Sequence, residues 1–335
     1  MNPPCPPHPP NQTLPTRRAP RWLAPAILAG GLGLFEIIRA VLATTNNPNL
    51  IPSLILLGAV VVPAAFVAFI SSLQLSYDVP AGTLIAVAFV GGVVGVVTAG
   101  LLEYQTLRHL GTLPLIGIAI AEEASKLIAP LAVLVVTPHR RRADGLLVGV
   151  ACGAGFAAME TMGYAAVALM ESHRNLATVA SLLLQRGFFS PATHMAWTGT
   201  TAAALWYAAD RRWQPATLAT LAGVFVTAVT LHTAWDATTA PPLYIILAAI
   251  SLGLLAITAH RLETAEHATP PLKHPEYPDG PARLVPPRLR PSTPCPDLCP
   301  TPIYKKHNLA NKPGGRAGRI DTVQPDRHRP TNLNT

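Results

Sequence analysis

Charge is scarce in this chain. Only 13 % of its 335 residues are Asp, Glu, Lys or Arg, against about 25 % in ordinary soluble domains. Hydrophobic residues make up 50 % and the mean hydropathy is positive, a balance that argues against a soluble globular protein and for a membrane protein. Cysteine is sparse as well. Cys152 falls in a predicted helix, Cys5 in the leader, and Cys295 and Cys299 form a CPDLC pair, which supplies half of a zinc site or one oxidisable dithiol and carries no further argument. No repeat of fixed period is present. No cleavable secretion signal is evident: the first apolar run is full length and follows a Pro-rich leader ending in Arg17, Arg18 and Arg21, so it is expected to stay as an anchor.

What the chain has instead is long apolar runs, and about 20 residues suffice to cross a hydrocarbon core of roughly 30 Å. Eight spans are predicted: Trp22 to Ala43, Leu50 to Ser72, Gly82 to Leu102, Leu113 to Val136, Asp144 to Met170, Phe188 to Tyr207, Pro215 to Ala237 and Leu243 to Ala259. The expected fold is therefore all-α and polytopic. It comprises a disordered Pro-rich leader over residues 1–20, a membrane domain over 21–262 and a disordered Pro-rich basic tail over 263–335. With the amino terminus inside, Arg17, Arg18, Arg21, Arg140, Arg141, Arg142, Arg211, Arg212 and Arg261 all fall on the inner face, and only Arg108 and Arg174 on the outer. Both termini are thus expected in the cytoplasm of a multi-pass cell-membrane protein. The net charge of +8 is read as this bias rather than as nucleic-acid binding; no nucleic-acid partner is expected, and oligomeric state is left open. Segments such as LVPPRLRPSTP in the tail serve either as a polyproline docking motif or as a spacer.

Against this background the stretch IAIAEEASKLIAPLAVLVV, Ile118 to Val136, stands out. A central charge costs roughly 2.5 to 3.5 kcal/mol on the insertion scale, so Glu122, Glu123 and Lys126 must face protein or water rather than lipid. Lys126 can reach back to either carboxylate at helical spacing. A buried ion pair that merely fixes packing is one reading, but one lysine does not neutralise two carboxylates. The next span carries Gly145, Gly149, Gly153 and Ala157 as a small-residue ridge for close helix packing, followed by Glu160. His194 lies in SPATHMAWTG, and His232 and Asp236 share a helix face in VTLHTAWDAT. At about 1.5 Å per residue, Glu122 lies roughly 14 Å, Glu160 roughly 15 Å, His194 roughly 9 Å and His232 roughly 8 Å from the outer ends of their helices, one band in the outer half of the bilayer.

Two histidines with several carboxylates can bind a divalent metal such as zinc, which lowers the pKa of a bound water and polarises a carbonyl. A nearby glutamate then takes the water's proton and returns it to the leaving amine. Glu122, Glu123, Glu160, His194 and His232 are the expected catalytic residues, and Glu160, His194, His232 and Asp236 the expected metal ligands. HExxH, GxSG and GxGD are all missing from the chain, which excludes zincin, rhomboid-like serine and presenilin-like aspartyl chemistry.

AEEASKL resembles the EExxK first motif of the PrsW family of intramembrane metalloproteases, relatives of the CAAX prenyl endopeptidases. DGLLVGVACGAGFAAMET resembles that family's DG(x)nGFAxxEN segment, RGFFSPATHMAWTG its arginine-then-histidine helix, and HTAWD its closing HxxxN. The resemblance runs in order from Leu113 to Asp236. It implies functional roles for Glu122, Glu123, Glu160, His194 and His232, with Arg186 as a structural or carboxylate partner. It further implies cleavage of membrane-anchored substrates such as anti-sigma factors on the extracytoplasmic side. Thr161 and Asp236 stand where the pattern has asparagine. The second departure matters, because an asparagine amide can donate to an oxyanion and an ionised aspartate cannot. Asp236 is then a metal ligand, an orienter of His232, protonated, or a sign of altered activity. Metal chemistry is favoured over glutamate-activated water alone. The competing readings are an ion- or proton-coupled transporter, since intramembrane ionisable groups also mark ion paths, and a catalytically inactive membrane scaffold.

Overall fold

The computed structural model describes residues 18–268 apart from 112–113 and 138–140. Arg17, Arg140, Leu113, Cys5, the Cys295 and Cys299 pair and the tail's proline segments lie outside the described residues. Within them the protein is all-α. In chain order the helices are α1 (Leu23–Thr45), α2 (Ile51–Ser71), α3 (Ala81–Ala86), α4 (Gly92–Leu110), α5 (Leu115–Lys126), α6 (Ile128–Val136), α7 (Arg142–Glu171), α8 (Leu176–Phe189), α9 (His194–Asp210), α10 (Pro215–Ala237) and α11 (Pro241–Ala268). A π-turn over Val87–Gly91 joins α3 to α4.

Among the described residues, six helical stretches are long and apolar enough to cross a membrane: Leu23–Thr45, Pro48–Ser71, Ala81–His109, Arg142–Glu171, Pro215–Ala237 and Pro241–Ala268. The chain is a multi-pass membrane protein. The other two predicted spans, the fourth and the sixth, are interrupted, so a count of eight crossings does not follow from helix length. The fourth breaks at Leu127 between α5 and α6. Pro130 lacks the N–H that would bond the carbonyl of Lys126, and the Cys152 thiol donates to that carbonyl instead, at 3.2 Å. The sixth begins earlier than the apolar run suggests, at Leu176, where the Asn175 side chain accepts from the N–H groups of Ala177 and Thr178. It then breaks at the 3-10 turn Ser190–Ala192, which contains Pro191. The last helix continues to Ala268, past the predicted edge at Ala259.

The long helix α7 is the centre of the molecule, and α9 is the neighbour against which it packs most extensively. The glycine ridge explains why. A side chain at Gly153 would collide with the backbone of His194 and Met195, one at Gly149 with Thr198 and Gly199, and one at Gly145 with the ring of Trp206. Glycine therefore lets the two backbones touch at Gly149 and Gly153, which fixes the His194 backbone beside α7, about two turns before Glu160. Gly155 makes an equally close approach to Ala88 of the π-turn.

The ends of the bundle are tied by polar contacts at one edge. Arg18 donates to the carbonyl of Leu75. Buried Asp144 accepts from the backbone N–H groups of Asp78 and Val79 at 2.7 and 3.2 Å, and Glu266 accepts from that of Ser76. Arg141 pairs with Asp78 and Arg142 with Asp210. Burial, reinforced by Glu266 and Asp144, raises the Tyr77 phenol above its ordinary range; its hydroxyl donates to the carbonyl of Ile70 at 2.7 Å. The arginines of the leader and of the loops before α7 and after α9 therefore share one end of the molecule.

Candidate functional site

The break after Lys126 ends α5 with its ammonium fully buried among acceptors. Nζ donates to Glu123 Oε1 at 2.7 Å and stands 3.3 Å from Glu122 Oε2 and 2.8 Å from His194 Nδ1. Its remaining side is covered by the Phe156 ring, 4.3 Å from Nζ to the centroid. An ammonium has donors only, so Nδ1 of His194 accepts and Nε2 carries the proton, which a cation bound at Nε2 would displace. That Nε2 lies 2.9 Å from Glu160 Oε2.

His232 is held by the opposite logic. Its Nδ1 is 2.8 Å from Glu123 Oε1, and an ionised carboxylate can only accept, so Nδ1 donates. Its Nε2 faces Glu122 Oε2 at 3.7 Å and Asp236 Oδ2 at 3.4 Å. The Trp197 ring stacks on the imidazole at 4.9 Å, and its indole N–H donates to Ser251 Oγ at 2.9 Å, which fixes the stack. Glu123 is thus a clasp between Lys126 and His232, 2 % exposed and absent from the cavity wall.

Glu160 projects from α7 toward the same point. Its Oε2 pairs with Arg186 Nη2 at 2.8 Å. Arg186 is positioned in turn by Nε donation to Thr161 Oγ1 at 3.2 Å and by stacking over Tyr164. Thr161, one of the two departures from the family motif, supplies an acceptor through its hydroxyl. These groups line a cavity of about 490 Å³ whose walls include Glu122, Glu160, His194, His232 and Asp236. Glu103 on α4 lies within electrostatic range of Glu122 and Glu160.

The residues present fit a divalent cation. One ligand atom each from Glu122, Glu160 and His194 lie within 4.8 Å of one another. Glu122 Oε2 and Glu160 Oε2 are buried without a well-aligned hydrogen bond; each has one cation beside it, Lys126 at 3.3 Å and Arg186 at 2.8 Å, and keeps lone pairs for a further positive charge. Glu122, Glu123, Glu160 and Asp236 stand around Lys126 and Arg186, so acids outnumber bases. Three protein ligands drawn from carboxylate and imidazole, opening onto a cavity, are the donor set of a catalytic rather than a structural site. His232 and Asp236, also expected as ligands, stand beside Glu122 but outside that three-residue group.

Some of the site is not visible in the motifs alone. Lys126 reaches His194 across 68 positions, and Trp197, one turn after His194, is the platform for His232. The HMAWTG motif holds the second signal; the first has none, because it depends on where α5 stops. Glu103 sits in a span whose apolar run ends at its doorstep.

Comparison with curated proteins gives no match. Comparison with solved structures gives none either. The family model described as PrsW family intramembrane metalloprotease matches residues 79–259, more than half of the chain and all of the elements that build the cavity. Such a family implies a hydrolase, a divalent metal and a membrane-embedded protein substrate. The chain belongs to the PrsW family of intramembrane metalloproteases.

Proposed function

We propose that the protein hydrolyses a peptide bond of membrane-anchored proteins, such as anti-sigma factors, in the cavity between α5, α7, α9 and α10. The observation that carries this reading is the convergence of Glu122, Glu160 and His194 from three separate helices, with their ligand atoms within 4.8 Å. These three residues would hold the metal, zinc by the nature of the donors. Bound there, the metal would acidify a water and polarise the substrate carbonyl.

The chain's own groups do the rest. One Glu122 oxygen belongs to the donor group; the second is left to take the proton of the attacking water and return it to the leaving amine. Lys126 and Glu123 hold His194 and His232 in place. Arg186 fixes Glu160. Leu115 opens α5 and Tyr244 lies one turn into α11, and both line the cavity, which supports a site near the end of the bundle opposite the arginines. By the positive-inside rule that end is extracytoplasmic, with both termini in the cytoplasm and eight crossings in all.

The test uses the full chain in lipid nanodiscs with a membrane-tethered reporter and bound-metal analysis. Glu122→Gln and Glu160→Gln are expected to lower turnover by at least about a hundredfold, the scale of a lost general base. Glu160→Gln should also lower metal content. Undiminished cleavage by Glu122→Gln would end the proposal.

A further inference from the structure

The cavity has two unlike faces. Beside the carboxylates and imidazoles, three aromatic rings from three elements line it: Phe189 at the end of α8, Trp235 on α10 and Tyr244 on α11. They are packed on one another, with Phe189 to Trp235 at 5.2 Å, Trp235 to Tyr244 at 4.7 Å and Phe189 to Tyr244 at 6.4 Å between centroids. The Tyr244 hydroxyl is spent on the carbonyl of Thr238 at 2.6 Å, so its ring offers the cavity an apolar surface. A fourth ring, Tyr164, is covered by Arg186, whose charge is in turn engaged by Glu160. The aromatic wall therefore carries no uncommitted charge, and Trp235 places it one residue from Asp236.

All three are only half-buried, Trp235 with one side on the Trp197 cluster, and border the same space as the donor group. A peptide held with its carbonyl at the carboxylates would bring an adjacent side chain into the same cavity as the rings. We infer that Phe189, Trp235 and Tyr244 form a side-chain subsite that selects substrates with a large aliphatic or aromatic residue beside the scissile bond. This rests on the protease reading above. Rigid rings with few rotatable bonds lose little entropy on contact and gain from burying apolar area, and discrimination between side chains differing by a methylene or more is worth about 10- to 200-fold in kcat/KM.

The experiment uses the full chain in nanodiscs and a peptide series on one fixed apolar anchor, varied through Gly, Ala, Leu, Phe, Lys and Asp at each position flanking the cleaved bond. The wild type is expected to prefer Leu or Phe over Ala by about 10- to 200-fold at one position. In Trp235→Ala that ratio should fall to within a few-fold, with metal content unchanged and Trp235→Phe keeping most of the preference. Phe189→Leu serves as a milder second variant if Trp235→Ala does not fold. An unchanged ratio in a folded variant overturns the subsite, as does an equal gain or loss on every peptide, which would mark the rings as a gate. A wild-type preference for Lys also overturns it. If the wild type cleaves no peptide, the protease reading falls and the subsite falls with it; if it cleaves all of them equally, only the subsite falls.

Discussion

At the scale of single residues, the site is a set of proton positions imposed by neighbours. Lys126 can only donate, so it turns His194 one way; Glu123 can only accept, so it turns His232 the other. Asp236 is the residue out of keeping with the family pattern, an acceptor 3.4 Å from His232 Nε2 where the motif has asparagine. Asp236→Asn replaces that acceptor with a group that can donate to Nε2 or to a developing oxyanion. Turnover is expected to rise, on the order of tenfold for one well-placed hydrogen bond, with metal content unchanged because Asp236 lies outside the donor group. Steady-state kinetics paired with metal analysis check this, and a loss of metal would instead make Asp236 a ligand. The sequence alone marks Glu122, Glu160, His194 and His232, because a charge or imidazole in an apolar run has no cheap explanation. It does not mark which nitrogen of either ring carries the proton, since that depends on atoms brought together across 68 and 109 positions.

At the scale of elements, glycine spacing and helix breaks do the positioning. Gly153 lies against the backbone of His194 and Met195, where a larger residue has nowhere to go, while Gly163 on the same helix borders open space, with no atom within 4 Å of where a methyl group would sit. Gly153→Val is therefore expected to cost about 1–3 kcal/mol or more through overpacking and to displace His194. Gly163→Ala should instead stabilise by about 0.4–1 kcal/mol. Thermal unfolding in nanodiscs measures both, and equal effects would mean that α7 and α9 are not in backbone contact there. The every-fourth spacing of small residues makes this packing legible in the sequence. The break inside the fourth span is half legible: Pro130 announces it, but the thiol of Cys152 that caps the freed carbonyl belongs to another helix. The early start of α8 at Leu176 escapes an apolarity count because the segment mixes Thr, Gln and Arg with leucines, and its start signal, Asn175, is a cap rather than a run.

At the scale of the whole molecule, the arginine-rich edge and the cavity lie at opposite ends of one bundle. Replacing Cys5, Cys295 and Cys299 with serine leaves only buried Cys152. A cysteine then introduced at Arg211 should react with a membrane-impermeant maleimide only after cells are opened, and one at Ser172 in intact cells; the reverse pattern would invert the orientation. The interrupted crossings have a further consequence. Helix α9 begins at His194, so the positive end of its peptide dipoles faces the carboxylates, and α5 ends at Lys126, whose ammonium meets a negative end. These are permanent fields built into the backbone, and a site set within the bilayer, as proposed above, would keep dissolved ions away from them. Mobile ions screen exposed charges within about 10 Å at 0.1 M, yet turnover here should stay nearly flat as salt is raised, as though the enzyme worked in the same dilute medium whatever its surroundings.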